Sequence, residues 1–156
     1  MILLLVLACG GTGQATLDAR PQPMGEAECD VCGMVVREQP APRGQLLYQD
    51  GSRAYVCSIG DLRADLAAPS PHGKVVATWV ESLPADFDPA APPDGALPWI
   101  PADQARFVVG FARAGTMGQP GLSYADQAEA EAEAKKVGGH VVSWAQLQAA
   151  GFNAVP

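Results

Sequence analysis

The sequence predicts an α+β protein built from two tandem units, each of strands packed with a helix. Three observations carry this. Residues 44–82 hold a strand pair, a short helix and a further strand. Residues 105–144 end in strand, helix, strand. Between them, residues 83–102 carry six of the chain's 14 prolines and no apolar period. Such a stretch marks a linker or a long ordered loop. The shared order suggests a duplicated ββαβ unit, although the halves have little residue identity.

In the first unit, Val35-Val36 reads as a short strand that Pro40 and Pro42 end. Residues 45–49 and 53–57 are strand-like runs around Asp50-Gly51, a hairpin signal that points to a type I′ turn with positive φ at both positions. Ser58 offers an N-cap with Asp61 three residues on, predicting a helix over 59–67, which Pro69 and Pro71 stop. Residues 74–82 (KVVATWVES) form a strand rich in Val, Thr and Trp.

In the second unit, residues 105–112 read as a strand interrupted by Gly110, followed by a Gly-rich turn, Gly115 to Gly121. Ser123 is placed as the N-cap of a helix over 124–136, its inner face made of Ala125, Ala128 and Ala132. Lys135-Lys136 suit the C-terminal end of the helix dipole, and Gly138-Gly139 supply a stop. Residues 140–144 (HVVSW) return as a strand. Ser143 and Gln146 start a last short helix that Gly151 ends.

Composition excludes several classes. Hydrophobic content of 48% with 17% charged residues argues against disorder. A net charge of −7, with ten scattered basic residues, leaves no cationic patch for a nucleic acid. Four cysteines are too few for a disulfide-stapled fold. The apolar start, MILLLVLA, is too short to cross a bilayer, which takes about 20 residues. Closing on Cys9-Gly10-Gly11, it reads instead as the end of a secretory or lipoprotein signal in which Cys9 is lipid-modified. The organisation expected is a signal region over 1–9, a flexible tether over 10–25, a first unit over 26–82, a linker over 83–103 and a second unit over 104–156.

The chemistry gathers in Cys29-Asp30-Val31-Cys32-Gly33-Met34. A redox C-x-x-C opens a helix, which lowers a thiol's pKa; here Gly33, Val-Val and prolines follow instead. A structural zinc site needs four ligands, and no second C-x-x-C exists. Cys57, His72 or His140 would have to complete it. Cys57, alone in an apolar run, also reads as a buried small hydrophobe. Copper uses residues the other readings leave idle. Cys32 and Met34 are two apart, so on an extended segment their soft side chains share a face. Met117, in the Gly-rich turn, is a candidate third ligand for Cu(I). A thiol-dependent lyase would need Cys29, Cys32, Cys57 and Asp61 to converge, and nothing in the sequence brings them together.

These motifs, with Tyr-Val-Cys-Ser-Ile-Gly-Asp-Leu over 55–62, the Met117-Gly118 turn and Gly-Gly-His-Val-Val over 138–142, resemble the NosL family over roughly residues 26 to 150. That family comprises copper-binding accessory lipoproteins of nitrous oxide reductase assembly. The resemblance implies two ββαβ units related to the organomercurial lyase-type domain. It implies a non-enzymatic Cu(I) metallochaperone, lipid-anchored on the periplasmic side, at the outer membrane. Its partners would be apo nitrous oxide reductase and a membrane transporter maturation complex. Carried over residue by residue, the ligands are Cys32, Met34 and Met117, with Cys29 as a fourth candidate at a position not always cysteine in the family. A zinc-binding lipoprotein and a thiol-dependent lyase or redox enzyme are the alternatives.

Overall fold

The computed structural model describes residues 17–88, 93, 95–114 and 118–153. Cys9 and Met117 lie outside the described residues. The first unit comprises strand β1 (Gly44–Tyr48), β2 (Arg53–Val56), helix α1 (Ile59–Ala67) and β3 (Val75–Glu81), to which β4 (Trp99–Pro101) is added. The second comprises β5 (Arg106–Val109), β6 (Leu122–Tyr124), α2 (Gln127–Val137) and β7 (His140–Ser143), followed by α3 (Trp144–Ala150). The sheets run β2-β1-β3-β4 and β6-β5-β7, and every pairing is antiparallel. In both units the first strand is central, the hairpin partner lies on one side and the strand after the helix on the other. The tandem ββαβ architecture is therefore real at the level of topology.

The hairpin turn differs from type I′. Among the described residues only glycines have positive φ, and Gly51 (φ 90°) is the one in this turn. Asp50 keeps an ordinary backbone because its Oδ1 accepts the Ser52 N–H at 2.8 Å. Gly51 N–H donates to Tyr48 O and Tyr48 N–H to Ser52 O, a three-residue loop closed by a left-handed glycine.

Helix α1 has the expected bounds, with Ser58 Oγ accepting the Asp61 N–H at 3.0 Å. Helix α2 does not. Ser123 is consumed by strand β6, its hydroxyl donating to Glu81 O at 2.6 Å. Asp126 caps the helix instead, accepting from Ala128 and Glu129 N–H. With the start three residues later, Ala128 and Ala132 face solvent, and Ala130, Glu133 and Ala134 form the inner face. Ala125 lies before the helix and is exposed. Gly138 (φ 74°) ends the helix in the left-handed conformation. The capping box of Ser143 and Gln146 starts α3 as expected.

Two segments read as connections carry order of their own. Residues 17–25 of the expected tether are fastened to the first sheet. Gln45 exchanges two hydrogen bonds with the Gln22 backbone, at 3.0 and 2.7 Å, and Tyr55 donates to Pro23 O. This covers the outer face of β1, so all five of its residues are buried. In the expected linker, Trp99–Pro101 pairs with β3. Extended Pro-flanked backbone suits an edge strand, where a missing N–H faces no partner.

The units share a core. Leu46, Val56, Ile59 and Leu62 of the first pack in one cluster with Phe107, Val109, Val142 and Leu147 of the second. A second cluster, with Val108, Leu122, Tyr124, Ala130 and Ala134, lies under α2. Cys29 and Cys57 belong to the shared cluster. No helix among the described residues is long and apolar enough to cross a membrane.

Candidate metal centre

The segment around the C-x-x-C doubles back on itself. Glu28 bridges Val35, Cys29 N–H donates to Met34 O at 2.8 Å, and Gly33 N–H donates to Cys29 O at 2.8 Å. Gly33 takes a left-handed φ of 74°, which lets the chain turn between Asp30 and Met34. The extended segment expected here is thus a tight hairpin, and Val36 opens a 3₁₀ turn over Val36–Glu38 instead of continuing a strand. The alternation that would place Cys32 and Met34 on one face does not apply across Gly33. Met34 is half-buried and packs against the same cluster that holds Cys29 and Cys57. Met24 packs there too.

This hairpin docks on the end of β2. Cys29 forms a parallel bridge with Tyr55, and Asp30 N–H donates to Tyr55 O at 3.0 Å. Two residues past Tyr55 stands Cys57, immediately before the N-cap of α1, and Asp61 lies in that helix's first turn. Docking therefore brings four groups together. The sulfurs of Cys29, Cys32 and Cys57 and a carboxylate oxygen of Asp61 all lie within 4.8 Å of one another. Cys32 Sγ is 3.5 Å from Cys57 Sγ. Cys29 Sγ accepts the Cys57 N–H at 3.4 Å, and its thiol donates to Asp61 Oδ2 at 3.9 Å. Cys29, Cys57 and Asp61 are buried, and Cys32 is half-buried.

Burial sets the electrostatics. It pushes the Cys29 thiol above its ordinary value, against backbone hydrogen bonds that pull it down. It pushes Cys57 up strongly, and hydrogen bonding to the Cys32 and Cys29 thiols adds to the rise. Asp61 is also raised by burial, opposed by hydrogen bonds from Ser58 and Cys29. Burial thus keeps the Cys29 and Cys57 thiols protonated, and a metal that binds them displaces protons. Three soft sulfurs in one place suit Cu(I); the carboxylate adds a harder donor that Zn(II) accepts.

The expected site residues that the structure describes each have a definite place. Cys32 and Cys29 are in the cluster. Met34 closes the hairpin beside it. Met117 lies outside the described residues; at its neighbour Gly118, an added Cβ would lie 4.0 Å from Asp61 Oδ1. A Cβ on Gly60 would meet Gln119 O at 2.7 Å, so the loop after Met117 rests on the first turn of α1. The histidines stand apart from the cluster. His72 Nδ1 is 2.8 Å from Asp50 Oδ2 at the hairpin turn, and His140 faces Gly110. The C-x-x-C opens no α-helix.

Cys57 and Asp61 are the donors that sequence reasoning did not assemble. Cys57 is buried, as a small hydrophobe would be, yet its sulfur faces two others. The available signal was position: a thiol at a strand–helix junction in a unit whose neighbouring loop carries two more.

The NosL family model matches residues 21–151. The chain is 28% identical over 155 residues to the copper-binding lipoprotein NosL of Stutzerimonas stutzeri, covering 96% of this chain and 80% of that protein. It is 31% identical over 136 residues to the copper-binding lipoprotein NosL of Achromobacter cycloclastes, covering 83% and 66%. Among solved structures, the crystal structure of the copper chaperone NosL from Shewanella denitrificans matches with a TM-score of 0.71 and 29% identity, over 85% of this chain and 98% of that one. With the matched span covering both units and the thiol-bearing hairpin, the chain belongs to the NosL family.

Proposed function

We propose that this protein is a Cu(I) metallochaperone that serves the maturation of nitrous oxide reductase. The observation that carries the reading is the convergence of three thiols at the hairpin–β2 junction, all within 4.8 Å of one another. Relatives named as copper-binding lipoproteins and a copper chaperone support it. Cys32, Met34 and Met117 form the ligand set, with Cys29 and Cys57 as the further thiols beside Cys32. Cu(I) is content with two or three soft ligands, so sulfurs exchange one at a time without leaving the ion bare. Half-buried Cys32 is the thiol an acceptor reaches first. The protein binds and passes on copper and catalyses no reaction. Lipidated at Cys9, it stands on the periplasmic side of the outer membrane and delivers copper to apo nitrous oxide reductase through a membrane transporter complex.

Competition with a chromophoric Cu(I) chelator tests the site. One Cu(I) per chain is expected, with binding lost in the Cys32→Ala, Met34→Ala double variant. Unaltered affinity in that variant overturns the reading.

The Asp61 carboxylate among three thiols supports one second reading, a structural Zn(II) site, since four mixed S/O donors match zinc's coordination number. Protein purified without added metal and carrying one tight zinc per chain would favour it.

A further inference from the structure

The three thiols are not equivalent, and their differences point to a covalent step. Cys32 Sγ lies 3.5 Å from Cys57 Sγ, and a bond between them needs the sulfurs to close to the usual S–S length of about 2.05 Å. Cys29 has partners beyond the other two thiols. Its sulfur accepts the Cys57 N–H and its thiol points at Asp61 Oδ2. It is only 3% exposed, whereas Cys32 is half-buried and reachable from solvent. All three are free thiols.

We propose that Cys32 and Cys57 form a reversible disulfide that closes the metal site, so that the C-x-x-C pair is not the redox pair. For its consequence, loss of copper uptake, this rests on the Cu(I) reading above. The step is a thiol–disulfide exchange. The Cys32 thiolate attacks a small or protein disulfide from the surroundings, releasing one thiol of that disulfide and forming a mixed disulfide. The Cys57 sulfur, deprotonated as it reacts, attacks the Cys32 sulfur and releases the second thiol. Two protein thiols lose two electrons and two protons, and one external disulfide gains them. Cys57 is buried and Cys32 half-buried, which makes Cys32 the entry point and Cys57 the resolving group. The product removes two of the three thiols from the donor set, leaving Cys29 as the one thiol beside Asp61. A chaperone outside the reducing cytoplasm would thereby be loaded only when reduced.

The test equilibrates purified apo-protein in glutathione buffers from reducing to oxidising. Free thiols are alkylated under denaturing conditions, and the bridges are mapped by peptide mass spectrometry. The expected result is a Cys32–Cys57 linked peptide with Cys29 alkylated. In Cys57→Ser, Cys32 accumulates as a glutathione adduct. A Cys29–Cys32 or Cys29–Cys57 bridge overturns the proposal, as do three thiols still reduced in the most oxidising buffer. Cu(I) uptake is read on both forms. The oxidised protein is expected to bind at least about tenfold less tightly, restored by a dithiol reductant. Equal Cu(I) binding by the reduced and bridged forms removes the closing role. If the reduced protein binds no Cu(I), the copper reading fails while the mapped bridge still stands or falls on its own.

Discussion

The thiol of Cys29 points at Asp61 Oδ2 across 3.9 Å, with both residues nearly excluded from solvent. Two acids thus face each other in a low-dielectric space, and burial holds the carboxyl above its ordinary range. This oxygen is the one hard donor of the cluster, so it is the natural discriminator between metals. Asp61→Asn keeps the shape and the backbone N–H that Ser58 caps. Zn(II) affinity is expected to fall by more than about tenfold, with Cu(I) affinity changed by less than about threefold. Parallel titrations with a zinc and a Cu(I) chelator check this. Equal losses for both ions would place the carboxylate in the copper ligand set.

A buried ion pair holds the 3₁₀ turn that follows the hairpin. Arg43 Nε and Nη2 donate to the two carboxylate oxygens of Glu81 at 2.6 Å each, and Arg43 Nη1 donates to Arg37 O in the 3₁₀ turn after Met34. Their side chains are 3% and 0% exposed. Removing one partner leaves a charge buried without its counter-ion. Glu81→Gln is expected to cost about 3–5 kcal/mol in urea denaturation. The double variant Arg43→Met, Glu81→Leu should recover most of that loss. A single-variant cost below about 1 kcal/mol would show that water reaches the pair.

The turn of the first hairpin gives the stability a local acid limb. The Ser52 N–H first, and the His72 ring second, hold the Asp50 carboxyl below its ordinary value of 3.8. The folded state therefore releases this proton more readily than the unfolded chain. The contribution to stability is complete above pH 3.8 and is lost as pH falls through the lowered folded value. Asp50→Asn should lower the thermal midpoint at pH 6 and converge with the parent at the acid end. A gap between the two proteins that stays constant down to the acid end would show that the charge plays no part.

Much of the architecture is written in local signals. Helix α1 was predictable to the residue because Ser58 and Pro69 mark both ends from within a dozen positions. The start of α2 was not, since Ser123 and Asp126 are both competent caps. Only the distant Glu81 carbonyl, which takes the Ser123 hydroxyl, decides between them. The site divides the same way. Cys29, Cys32 and Met34 stand together in sequence and were legible as soft donors. Cys57 and Asp61 join them through the Cys29–Tyr55 bridge, a pairing between distant segments that no local period encodes. The backbone between Cys32 and Met34 departs from the expected extended form for a local reason: Gly33 permits a left-handed turn where a strand was expected.

The contact between Gly60 and Gln119 tests the proposed part of Met117 without touching a ligand. A Cβ at position 60 would stand 2.7 Å from the Gln119 carbonyl oxygen, a backbone atom that cannot rotate away. Alanine favours the helix by about 1 kcal/mol, yet the overlap must push the loop off α1 at a cost of about 1–3 kcal/mol. If Met117 is a ligand, Gly60→Ala should weaken Cu(I) binding in the same direction as Met117→Ala, by roughly tenfold each. The double variant should then be no weaker than the poorer single, because both remove the same interaction. Fully additive losses would mean that Gly60 acts on the thiols of the β2–α1 junction instead of on the loop. An unchanged affinity in both single variants would remove Met117 from the ligand set and leave the three thiols to hold the ion.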